Sequence, residues 1–124
     1  MFSLNSNETN FGKLKFIKNL FELYGIYQFR INNKELLEKT SIKFKDEEIE
    51  EMNNFVSLVN QAINCLNEEE QKIIELSFIQ KIHYTKCNYS QSSFFAKRKK
   101  TTLKLYDLIF TKCQNFELYN KLKN

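Results

Sequence analysis

The residue types that most often carry chemistry are sparse in this chain. It has one histidine, His83, three cysteines, Cys65, Cys87 and Cys113, and two glycines. His83 and Cys87 stand four apart, which would place them on one helix face, and the cysteines complete a four-ligand set of the kind zinc takes. The remaining spacings match no zinc module, and no two cysteines are close. Free cysteine is a common core residue, so no metal or other cofactor is expected. His83 has no serine or carboxylate near it in a nucleophile arrangement. Two isolated glycines allow no phosphate-binding loop, dinucleotide fingerprint or nucleophile elbow. No catalytic residues, no small-molecule substrate and no enzymatic activity are expected.

The chemistry that remains is the binding of anions. Residues 87–105 read "CNYSQSSFFAKRKKTTLKL". A polar turn, Ser90, Gln91, Ser92 and Ser93, runs into Phe94 and Phe95, and four cations follow: Lys97, Arg98, Lys99 and Lys100. Residues 1–79 carry nine Lys/Arg against thirteen Asp/Glu, whereas residues 80–124 carry ten against two, for a net +4 overall. A basic C-terminal third on an acidic body suits a polyanion. The same charges would also suit the solvated surface of an ordinary helix. Much Lys, Asn, Ile and Phe is also what an AT-rich coding sequence produces, so lysine content alone decides little.

These residues need elements to hold them. The chain has 124 residues, is 42% hydrophobic and has no proline. That is enough apolar material for one compact core, and too few turn residues for a set of strands. Residues 1–10 are polar and expected to fray. From Phe11 the pattern is helical, with Leu14, Ile17, Phe21 and Tyr24 on one face and Phe16, Leu20, Leu23 and Tyr27 beside them. This apolar face is wide, so the helix is either sandwiched between others or in contact with a second copy. Asn32 or Asn33 can cap a short helix carrying Leu36 and Leu37. "SIKFK" reads as a connector. Asp46 can cap a helix whose apolar positions are Ile49, Met52, Phe55, Val56, Val59, Ala62, Ile63 and Leu66. The acids at its start match the helix dipole and need no catalytic role. Asn67 and Glu70 form a capping box for a helix bearing Ile73, Ile74 and Phe78. The stretch "QKIHYTKCNY" reads as a short helix or an irregular turn. Ser90 then caps a last helix that nothing breaks until about Phe116, with Phe94, Thr101, Leu105 and Leu108 on one stripe. Leu103, Tyr106, Ile109 or Phe110, and Cys113 lie on another.

The predicted fold is all-α: a bundle of four to five helices in a single domain spanning residues 1–124. Residues 11–65 make its N-terminal helical part. Residues 66–116 make a helix-turn-helix-like part ending in the long basic helix. A capped acidic helix followed by a Ser-capped helix with polar and then basic turns is the physical plan of helix-turn-helix proteins. Short polar residues reach base edges, the free N–H groups of the first turn favour phosphate, and cations further along straddle the backbone.

"LNEEEQKIIELSF" resembles the start of region 4 of sigma-70 family factors and of related phage regulators of the ArpU type. "YSQSSFFAKRKKTTLKL" is similar to the recognition helix of that family. The resemblance covers about residues 64–108. The segment between the two stretches is shorter than in the family and has no glycine, which implies a truncated first helix. By position, the resemblance implies that Ser90 is the cap and that Gln91, Ser92 and Phe95 face DNA bases, with Ala96 and Lys99 just behind. It implies that Phe94, Thr101 and Leu105 pack inward, and that Lys97, Arg98 and Lys100 lie near phosphates or cover the helix flank. Phe95 could touch a thymine methyl, stack on an unpaired base, or be buried.

Two functions follow as expectations. One is a small DNA-binding protein of transcription, with double-stranded DNA as partner. Its acidic helices would serve as a support, a homodimer contact or a surface for RNA polymerase. The other is a helical interaction module that oligomerises through the aromatic face of residues 14–27 and binds no nucleic acid. RNA is a further possible polyanion for the same basic helix. No apolar run reaches the roughly 20 residues of a membrane span. "MFSLNSNETN" lacks a positive stretch followed by an apolar one, so no signal peptide is expected, and the three cysteines suit reduced thiols. A cytoplasmic protein is expected.

Overall fold

In the computed structural model, which describes residues 9–81 and 89–112, five α-helices pack around one aromatic-rich core, and the described residues contain no strand. They are α1 (Asn10–Asn32), α2 (Lys34–Lys39), α3 (Asp46–Asn64), α4 (Glu68–Ile74) and α5 (Gln91–Lys112). A π-helical turn, Glu75–Ile79, continues α4. The all-α bundle expected from the sequence is what the chain forms. The segment 82–88, the first eight residues and the helix end expected near Phe116 lie outside the described residues.

α1 is the central element, and at 1.5 Å per residue its 23 residues run about 34 Å. Thr9 caps it, with Oγ1 accepting from the Gly12 N–H at 3.0 Å. α3 and α5 pack along it, and α2 and the π-helical turn touch it too. This accounts for the width of its apolar face. Phe16, Ile17, Leu20, Phe21, Tyr24 and Tyr27 are all buried within the chain, so the face is sandwiched rather than left for a second copy. Aromatic edges fix the packing: Phe16 meets Tyr106 of α5 at 5.1 Å, and Tyr27 meets Phe55 of α3 at 5.4 Å. The Tyr24 hydroxyl donates to Asn60 Oδ1 at 2.7 Å. Burial, then the nearby Glu75 carboxylate, raises the pKa of that hydroxyl.

With so few glycines, the chain turns corners with other residues. α2 ends in a Schellman motif in which Ser41, at φ 74°, takes the left-handed place usually given to glycine. The Ile42 N–H donates to Leu37 O at 3.2 Å and the Ser41 N–H to Glu38 O at 3.4 Å. Lys81, at φ 56°, leaves the π-helical turn in the same way. α3 starts one residue earlier than expected: Lys45 is the cap and Asp46 the first helical residue. Lysine offers no acceptor, so the stabilising half of the cap is Glu48 Oε1, which accepts from the Lys45 N–H at 3.0 Å. The π-helical turn also departs from the expected pattern. The turn follows the buried Ile73 and Ile74, and within it Phe78, four residues after Ile74, stacks on Phe21 at 5.0 Å.

Gly25 sits exposed in the second half of α1, and a Cβ added there would meet nothing within 4 Å. Gly25→Ala is therefore expected to stabilise the protein by about 0.5–1 kcal/mol, seen as a higher urea midpoint with unchanged slope.

Candidate nucleic-acid interface

Ser90 opens α5 as the sequence predicts. Its Oγ accepts from the Ser93 N–H at 3.3 Å, and its carbonyl accepts from the Phe94 N–H at 2.9 Å. Phe94, Thr101, Thr102, Leu105, Tyr106 and Ile109 are buried and root the helix in the bundle. The opposite side of the first turns faces solvent. Gln91, Ser92, Phe95, Ala96, Lys99 and Lys100 are exposed, while Ser93, Lys97 and Arg98 are half-buried. Ser92, Phe95, Ala96 and Lys99 follow one another at helical spacing and form one stripe. The two phenylalanines divide: Phe94 is 2% exposed and Phe95 37%. Phe94 packs inward as expected, and Phe95 stands on the outer face.

The cations do not form one uniform patch, because α4 packs against α5 and brings acids to them. Lys97 Nζ lies 3.5 Å from Glu69 Oε2. Lys104, which lies outside the run of four cations, reaches both Glu70 oxygens at 3.0 and 3.1 Å. Its place one heptad after Lys97, hence on the same helix face, was the signal available. The Arg98 guanidinium carbon lies 4.8 Å from the centre of the Phe95 ring. Lys99 forms no ion pair among the described residues.

Glu70 joins the two helices. Asn67 Oδ1 accepts from the Glu70 N–H at 2.8 Å, and Glu70 Oε1 accepts from the Asn67 N–H at 2.9 Å, completing the capping box. The same carboxylate holds Lys104. The Asn67 N–H first, and then the Lys104 ammonium, lower the Glu70 pKa against the opposing effect of partial burial. A lowered pKa contributes stability above the ordinary carboxylate value, and that contribution is lost as pH falls through the lower folded value. Glu70→Gln keeps the cap but loses the charge. It is expected to lower stability at pH 7 by about 0.5–1 kcal/mol. Urea midpoints of the two proteins should converge as the pH drops below about 4.

Cys65, the described member of the possible zinc set, is exposed just after α3. His83, Cys87 and Cys113 lie outside the described residues. No described group of three or more His, Cys, Asp or Glu is placed to hold a metal ion. No helix among the described residues is long and apolar enough to cross a membrane. No family model matches the chain, and no curated protein or solved structure shows significant similarity to it.

Proposed function

We propose that this protein binds duplex DNA by placing the first turns of α5 in the major groove, and that it acts in transcription as a regulator or sigma-like factor. One observation carries the reading. A Ser-capped helix N-terminus presents Gln91, Ser92, Phe95, Ala96 and Lys99 to solvent on one side while Phe94 and Leu105 anchor the other. Small polar side chains there can approach base edges, and the free N–H groups of the first turn favour phosphate. Asp46, Glu47 and Glu48 at the exposed start of α3 would be repelled by phosphate. They are better suited to meet protein, such as RNA polymerase, than DNA.

Equilibrium binding to mixed-sequence duplex DNA as salt rises tests this. Affinity should fall steeply, with a slope of about 0.9 for each phosphate contacted. Absence of binding at low salt sinks the proposal, and preference for duplex RNA over DNA replaces it with the RNA reading.

The alternative, a helical interaction module without a nucleic-acid role, keeps one specific observation. The aromatic face of residues 14–27 is consumed inside the bundle, but Ile26, Phe29 and Ile79 are exposed. They border a groove of about 600 Å³ floored by Phe21 and Phe78. Self-association that persists at low concentration, without DNA binding, would favour this reading.

A further inference from the structure

Phe95 and Arg98 stand one turn apart on α5 with ring and guanidinium in contact. Building on the DNA-binding reading above, we propose that Arg98 reads a guanine base and that Phe95 is the positioning residue that presents it. This differs from the roles implied by the resemblance, which set Phe95 against bases and Arg98 near a phosphate or on the helix flank.

The acids of α4 take Lys97 and Lys104 in ion pairs, and Arg98 is in none among the described residues. Arg98 rests on an aromatic face instead. That face is itself fixed, since the Phe95 ring meets the buried Phe94 ring edge-on, with centres 5.7 Å apart at 71°. The backbone beneath is pinned as well. Thr102, 1% exposed, donates its hydroxyl to the Arg98 carbonyl at 2.6 Å. A series of contacts thus runs from the core to the guanidinium.

A guanidinium carbon 4.8 Å from the ring centre leaves room for the plane to lie on the ring, an arrangement that occupies one face and keeps the in-plane N–H donors for a ligand. A planar fork of donors matches O6 and N7 of guanine in the major groove, the base edge with two adjacent acceptors. An arginine already held against a ring loses less rotamer freedom on docking than a free one. A phosphate can accept the same fork, but neutralising it would steepen the salt slope, whereas a guanine contact fixes a base.

The test is selection of binding sites from randomised duplexes, followed by salt titrations on the selected site and on the site with one guanine replaced. The proteins are wild type, Arg98→Ala, Phe95→Leu and Phe95→Tyr. Wild type should fix one guanine and lose about tenfold or more in affinity when it is replaced. Arg98→Ala should abolish that preference with an unchanged salt slope. Phe95→Leu should weaken the preference, and Phe95→Tyr, which keeps the aromatic face, should retain it. The inference is overturned if wild type fixes no guanine, or if Arg98→Ala weakens all sequences equally and lowers the slope by about one, as loss of a phosphate contact would. Equal loss of preference in Phe95→Leu and Phe95→Tyr overturns the positioning role. In each of those cases DNA binding itself still stands. If wild type binds no duplex, both proposals fall together.

Discussion

Leu20→Ala should lower the stability of the folded protein by about 3–4 kcal/mol, a large share of the roughly 5–15 kcal/mol that holds a typical domain together. Leu20 is 0% exposed and lies midway along α1, where α3 and α5 both pack. Truncation removes apolar contact and leaves a cavity, and the cost depends on how far the surroundings collapse. Here the neighbours are tethered. Phe16 is held edge-on to Tyr106, Phe21 is stacked on Phe78, and Tyr24 is fixed by its bond to Asn60. Rings held at defined angles fill a lost isobutyl group poorly, which keeps the cost away from the low end of the usual range for Leu→Ala. Phe11→Ala serves as the control on the same helix. Phe11 is 77% exposed, and its loss should change stability by less than about 0.5 kcal/mol. Urea unfolding at constant slope measures both. A cost below about 1 kcal/mol for Leu20→Ala would mean that α1 is not the element around which the bundle packs.

Local patterns carried much of this architecture. The period of Ile17, Leu20, Phe21 and Tyr24 marked the core face of α1, and the Asn67–Glu70 box marked the start of α4. Ser90 marked the start of α5. Each is set within a few residues by hydrogen bonding or side-chain spacing, so each can be read from the sequence. What escaped was set by partners distant along the chain. The width of the α1 face suited either a sandwich or a dimer, and only its packing against α3 and α5 decides between them. The π-helical turn at Glu75–Ile79 is marked by no local propensity. Ser41 and Lys81 adopt left-handed conformations that neither residue type advertises. At the candidate interface the helix cap, the buried Phe94 and the exposed stripe were legible. The pairing of Lys97 and Lys104 with Glu69 and Glu70 was not, because it depends on how α4 lies on α5. A run of four cations looks uniform in the sequence, yet in space Lys97 meets Glu69, Arg98 meets the Phe95 ring, and Lys99 is in no ion pair among the described residues.

That difference gives the second large effect. On the proposal of DNA binding, the α5 cations should contribute unequally. Replacing Lys97, Arg98, Lys99 and Lys100 together by Ala should cost about a hundredfold in affinity at about 0.1 M salt and flatten the salt slope by about two. Helical content should be unchanged, since alanine is the best helix former and none of the four side chains is buried. Single substitutions then divide the loss. Lys99 is exposed and forms no ion pair among the described residues, so Lys99→Ala should remove one full phosphate contact, about tenfold. Lys97 must give up Glu69 to meet a phosphate, and the exchange of one anion for another returns less. Lys97→Ala should therefore cost clearly less than Lys99→Ala. Glu69→Gln should act in the opposite direction, because it releases Lys97 and removes a negative charge from the approach of the DNA. A rise in affinity for Glu69→Gln that disappears in the Lys97→Ala background would tie the effect to this one pair. Equal losses for Lys97→Ala and Lys99→Ala, with Glu69→Gln neutral, would show that the acidic turn of α4 only caps its own helix and does not modulate the charge that α5 offers to DNA.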